Sequence, residues 1–199
     1  MDIFEELTKD HRTIHQVLDA FETFIDGSSA ELDLVELNRF AVFFREFVEL
    51  THNEREERIL LPAMEALGYA RHGGPITHIR EEHERERNLL LELRRAAVRQ
   101  RQPTALDRGR ILNTARELIA FERAHIKKEN ELLYPSVQKD LAGKTLSDLG
   151  QALRTHEGTW SRAVEQTWLR ALAEELVRDH THKRGEEARC TATGSSTRS

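Results

Sequence analysis

Apolar residues recur three, four or seven positions apart along most of residues 3–138, the period of helices with one buried stripe. The first stripe is Ile3, Leu7, Ile14, Leu18, Phe21 and Ile25, which predicts a helix over residues 2–25. Asp26-Gly27-Ser28-Ser29 breaks it, and Ser28 with Glu31 forms a capping-box pattern for the next helix. That second helix is predicted over 31–67, with Leu37, Ala41, Phe44, Val48, Ile59 and Ala63 inward and a kink or early end at Pro62. Residues 68–74 read as a connector, and Pro75 opens a third helix to residue 101 along Ile76, Ile79, Leu90 and Leu93. A break at Gln102-Pro103 precedes a fourth over 104–138, marked by Ile111, Ala115, Leu118 and Leu132. Four long helices with short links imply antiparallel neighbours, so the expected fold is all-α, an up-down-up-down four-helix bundle over 1–140.

A further amphipathic stretch over 141–179 carries Leu149, Leu153, Trp160, Val164, Trp168 and Leu176 on one side, with a bend expected at Gly158. It reads as a C-terminal helical extension that packs across the bundle or forms a homodimer. Residues 180–199 turn to Lys, Gly, Thr and Ser and are expected to be a disordered tail.

Four histidines interrupt the stripes in register. His11 fills the slot four after Leu7 and three before Ile14, and His83 lines up with Ile79 and Leu90. His52 and His125 stand in segments that repeat one another: THNEREERILLP (51–62) aligns without gaps to AHIKKENELLYP (124–135). Each has His, Glu four later, two aliphatic residues, and Pro ten after the His. The preceding helices carry matching pieces, DHRTI and EHERE, each an acid followed by His. With a rise of about 1.5 Å per residue, all four histidines can share one layer of the bundle.

Residues i and i+4 share a helix face, so His52 points with Glu56 and His125 with Glu129. Both glutamates fall on or beside the apolar stripe, where an ionised carboxylate is costly unless paired or metal-bound. A single H-x-x-x-E is an ordinary surface pair, but surface pairs have no reason to recur in register with two inward histidines. Four imidazoles and two carboxylates suit Fe, Mn or Zn, with carboxylates able to bridge two ions.

Composition narrows the classes. A formal net charge of -5 argues against a general nucleic-acid partner. No run approaches the roughly 20 apolar residues of a membrane helix, and the acidic MDIFEELTKD start lacks a signal-peptide core, so a cytoplasmic protein is expected. The single cysteine, Cys190, excludes an intrachain disulfide and a cysteine-ligated zinc or iron–sulfur site.

The pieces KDH, H-x-x-x-E, GPITHIREEH and HIKKENELLYP resemble the hemerythrin-like (HHE cation-binding) domains, over about residues 3–138. That resemblance implies a four-helix bundle around a non-haem, oxo- and carboxylate-bridged di-iron centre that meets O₂, peroxide or nitric oxide. By position, His11, His52, His83 and His125 would be terminal ligands, and Glu56 and Glu129 would bridge. The oxygen carriers of the family have a histidine where this chain has Ile79 and an aspartate where it has Asn130. The expectation is therefore a protein with two Fe ions, Zn or Mn being alternatives, that binds, senses or reacts with a small oxidant. Iron storage or delivery, or a peroxidase- or catalase-like activity, is the alternative.

The other histidines read differently. His15 shares a face with His11 and offers a fifth imidazole or a supporting hydrogen bond. His78 points about 140° from His83, and Glu57 about 100° from Glu56. His156 reads as a partly buried structural residue and His72 as a solvated one, while His180 and His182 fall in the polar tail.

Overall fold

Asp2 starts the first helix by accepting the Phe4 amide N–H at 2.9 Å, and α1 then spans Ile3–Gly27. The computed structural model describes residues 2–98, 101–141, 143–157 and 166–181. At the end of α1 the Ser28 hydroxyl donates back to the Phe24 carbonyl at 2.7 Å, so it closes that helix. The cap of the next helix is instead Asp33, which accepts the Val35 and Glu36 amides. Helix α2 is continuous over 34–66: α-helical at Leu34–Phe43, π-helical at Phe44–Asn53 and Glu56–Leu60, and α-helical again at Leu61–Ala66. Pro75–Ala97 forms α3. Thr104 caps α4, which covers 105–140 as Ala105–Lys128, a π turn at Glu129–Leu133, and Tyr134–Asp140. Gly143–Glu157 is α5, and residues 166–181 form α6.

The π turns explain what the two prolines do. The Leu61 N–H bonds to the Glu56 carbonyl and the Tyr134 N–H to that of Glu129, each five residues back. Pro62 and Pro135 follow directly, and the widened turn gives the pyrrolidine ring room that a regular turn would deny it. The helix therefore does not end at Pro62. Widening also shifts the helix phase: Leu132, expected inward, is 66% exposed, while Tyr134 and Val137 take the buried side.

The helices α1 to α4 close into a ring, with α1 and α3 each packed against α2 and α4. Helix α5 lies on α1 and on the Glu56–Leu60 turn of α2. The apolar core falls into two blocks. One, beneath the link between α1 and α2, holds Phe21, Phe40, Phe43 and Phe44, each worth about 2 kcal/mol on burial. The other, at the start of α1, holds Ile3, Leu7, Leu60, Met64, Ile76 and Val137.

The C-terminal extension packs across the bundle, α5 adding Leu149 and Leu153 to the second block and α6 adding Leu169, Leu172 and Leu176 to the first. Trp168, expected on the buried side, is exposed, because the inward face of α6 runs through the leucines beside it. Trp160, Val164 and Gly158 lie outside the described residues. Helix α6 continues to 181, past the expected start of the tail at 180. His180 explains it: the buried ring meets Glu36 Oε1 at 2.8 Å and packs on Phe24 and Phe40. His182 and Cys190 fall outside the described residues. No described helix is long and apolar enough to cross a membrane.

Candidate metal centre

Between the two apolar blocks lies one polar layer. His11 from α1, His52 and Glu56 from α2, His83 from α3, and His125 and Glu129 from α4 are all buried there. Their donor atoms converge in two groups, each within 4.8 Å: Glu56, His83, His125 and Glu129 in one, His11, His52 and Glu129 in the other. Glu129 belongs to both. Its Oε1 lies 3.0 Å from His125 Nε2, and its Oε2 lies 3.1 Å from His11 Nε2. The His11 and His52 Nε2 atoms face each other at 3.1 Å, and His83 Nε2 lies 3.2 Å from Glu56 Oε2.

Glu56 is not the mirror image of Glu129. Its Oε1 accepts the Tyr134 hydroxyl at 2.6 Å, and that ring stacks on His11. His15 joins neither group of donor atoms. It is half-buried further along α1, and burial together with the nearby His11 lowers its pKa.

The outward ring nitrogens follow a rule. His52 Nδ1 faces Asp10 at 3.6 Å, and His125 Nδ1 meets Glu82 at 2.9 Å; each acid immediately precedes the histidine on the other helix of the same hairpin. His83 Nδ1 meets Glu57 at 2.8 Å, and His11 Nδ1 meets Asn130 at 2.9 Å; each partner immediately follows a glutamate of the opposite hairpin. Basic residues complete the symmetry, Arg55 pairing with Asp10 and Lys128 with Glu82. Ligating imidazoles are oriented in this way, by an acceptor on the nitrogen that does not bind.

The donor set fits a cation. Glu56 Oε2, His83 Nε2, His125 Nε2 and both Glu129 oxygens are buried and make no well-aligned hydrogen bond among the described residues; their near neighbours are other donor atoms of the layer. Buried polar atoms of native proteins are otherwise almost always satisfied. Charge in the layer is mutually supporting. Burial lowers the pKa of His83 and His125, but Glu56 and Glu57 around the first and Glu129 around the second hold them up at about 9 and about 10. Glu129 is held well below the ordinary carboxylate range, against the effect of burial, by His125 and His11.

Beside His83 and His125 sits a second polar pocket. Asn53 donates to Glu86 at 2.5 Å, and the buried Glu122 carboxyl lies close enough for its charge to act on Glu86. Burial raises both carboxyls, and for Glu86 the charge of Glu122 adds to it.

Sequence reasoning did not single out Asp10, Glu82, Tyr134, Asn53, Glu86 or Glu122, and turned Glu57 away from the layer. The acids before His11 and His83 were visible as a repeated pair. Glu86 and Glu122, each three residues from a histidine on the inward face, were legible from spacing alone. Tyr134 was not, because its inward aim depends on the π turn. Compared with known proteins, residues 2–137 match the hemerythrin HHE cation binding domain. No curated protein and no solved structure matches the chain.

Proposed function

The chain belongs to the hemerythrin HHE cation-binding domain family, and on that footing we propose that its buried layer holds two iron ions and binds, senses or reacts with a small oxidant. The observation that carries the reading is the sharing of Glu129 by two convergent donor groups that include four histidines. In this reading His83, His125 and Glu56 would hold one ion and His11 and His52 the other, with Glu129 available to both. His15 stands outside both donor groups and is not counted among the proposed ligands. Zinc or manganese would accept the same ligands.

Iron, when bound, would supply redox chemistry and coordination to O₂, peroxide or nitric oxide. The chain supplies the rest. Leu7, Ile14 and Ile79 flank the layer and limit water. Tyr134 keeps its phenolic proton, because burial and then the charges of Glu129 and Glu56 raise its pKa far above the usual value, so it stays a donor to Glu56. Glu86 and Glu122, whose pKa values burial raises, lie close to the His83 and His125 side.

Metal analysis of the purified protein, with an optical spectrum before and after O₂ or peroxide, tests the proposal. Two irons per chain and a near-ultraviolet band altered by azide are expected. Two zinc ions per chain with no iron uptake would sink it.

A further inference from the structure

A groove of about 740 Å³ opens on the bundle surface between the connector before α3 and the π turn of α4, and Glu129 is among the side chains lining it. Its apolar wall is Tyr69, Pro75, Ile79, Leu132 and Leu133. Ile79 stands one helical turn before His83 and forms the inner wall of the groove together with Glu129, at 4% exposure. Leu132 forms the outer lip, turned outward by the same π turn that aims Tyr134 inward. The volume falls in the range of pockets for small organic molecules and far exceeds what a diatomic needs.

The charges of the wall select against an ion. Glu81, Glu82 and Glu129 face Lys128 and His78. Lys128 is engaged by Glu82, which also lies 3.2 Å from His78 and 2.9 Å from His125. Glu129 is offset by His125 and His11 behind it, so Glu81 leaves the wall weakly acidic, which disfavours anions, and five apolar side chains would not replace the hydration of a cation.

We infer that this groove is a ligand site for a neutral molecule with an apolar body and a terminal O–H, an alkyl hydroperoxide, presented O–H first toward Glu129. The inference rests on the proposed oxidant reading for its choice of hydroperoxide and names a substrate class for it. Occupancy of the groove stands on the walls alone.

The test begins with zinc-loaded protein, which is redox-silent. It is titrated with cumyl alcohol, the unreactive analogue of cumene hydroperoxide, and with benzoate, while the methyl resonances of Ile79, Leu132 and Leu133 are followed. Saturable shifts confined to these residues are expected with the alcohol, with binding at least roughly tenfold weaker for benzoate. Leu132→Trp, which fills the groove from an exposed position, should abolish them. Absent shifts, shifts scattered over the surface, or equal binding of benzoate would overturn the site. So would slower iron uptake by metal-free Leu132→Trp protein without any alcohol shift, which would make the groove an ion path.

In iron-loaded protein supplied with ascorbate, which gives the two electrons that reduce ROOH to ROH and water, Leu132→Trp should slow consumption of cumene hydroperoxide roughly tenfold or more and that of hydrogen peroxide less than about twofold. Equal slowing of both counts against the groove. Protein that consumes neither peroxide refutes the oxidant reading, and the alcohol titration still decides the groove. Protein that consumes hydrogen peroxide but not the bulky substrate refutes the groove alone.

Discussion

In the hairpin of α1 and α2, Asp10 precedes His11, faces His52 and pairs with Arg55; in that of α3 and α4, Glu82 precedes His83, holds His125 and pairs with Lys128. Seventy-two residues separate the first members and seventy-three the second, so this wiring repeats with the sequence itself. The halves part where the repeat does. Asn130 stands where the other half has Glu57, and Tyr134 where it has Leu61. The linked pair Asn53 and Glu86 has Ile126 and Ile14 as its counterparts. The His83 and His125 side therefore carries the buried Asn53, Glu86 and Glu122, and the other side has isoleucines in place of the first two and a phenol stacked on His11. A duplicated scaffold has been made into two non-equivalent positions by changing the residues around the histidines, not the histidines.

The comparison breaks most severely at the glutamates. They are equivalent in the repeat, but only Glu129 serves both donor groups. Glu129→Ala is expected to abolish binding at both positions, and Glu56→Ala to weaken chiefly the one with His83 and His125. Metal content per chain after dialysis measures this. Equal losses for the two variants would mean that the asymmetry has no consequence for binding. Metal-free Glu129→Ala should also lose about 3–5 kcal/mol of stability, because two buried histidines lose their counter-charge.

Next in size is a pH effect centred on the second hairpin. The pKa values of His83 and His125 are raised to about 9 and about 10. Raised values mean that protonation stabilises the metal-free fold: the contribution is complete below about pH 6.5 and is lost as pH rises through 9 and then 10. Denaturant midpoints of chelator-treated protein should fall steadily across that window. Metal should reverse the trend, since uptake displaces protons and tightens as pH rises. A flat profile for metal-free protein from pH 6.5 to 10 would contradict these shifts.

Exchanging the acceptors that orient His83 and His11 sharpens the contrast further. Asn130→Asp gives His11 an anionic partner like that of His83, and Glu57→Asn does the reverse. Changes of about 10- to 100-fold in metal affinity are expected, tighter for the first and weaker for the second. Competition with a chromophoric chelator reads both, and the two effects should fall on different positions. Identical effects would mean that the acceptors act only through overall charge.

Much of this was legible in the sequence, for particular reasons. The ring of four helices follows from stripes that stay apolar for whole helices, and all four histidines lie where the stripes placed them. The donor atoms converge because the repeat sets both hairpins to one depth. What was hidden depends on backbone that strays from 3.6 residues per turn. The π turns rotate Leu132 outward and Tyr134 inward, and they carry Pro62 through a helix that a regular ladder would have ended there. Helix α6 was misjudged at Trp168 and at residue 180 for another reason. Its inward face and its end are decided by contacts with Phe24, Phe40 and Glu36, far away in the chain.

The smallest expected effect comes from the element that stands outside the repeat. Arg170 on α6 reaches within 3.7 Å of Asp10 Oδ1, so the acid that faces His52 meets a cation from the C-terminal extension as well as Arg55. Glu82 instead meets Lys128 and His78, from the bundle itself. Arg170 is one-third exposed, so solvent screens its charge, and Arg170→Ala should cost no more than about 1 kcal/mol of global stability. Its specific consequence is a loosened Asp10 and a less firmly oriented His52, hence a several-fold (about 2- to 5-fold) loss of metal affinity at the His11 and His52 position only. Arg170→Lys keeps the charge and should restore part of that loss, whereas a purely structural contact would not be rescued by charge. Titrations that resolve the two positions decide the matter: equal weakening at both would show that α6 acts through the fold, and weakening confined to one would tie the extension to the first hairpin's histidines.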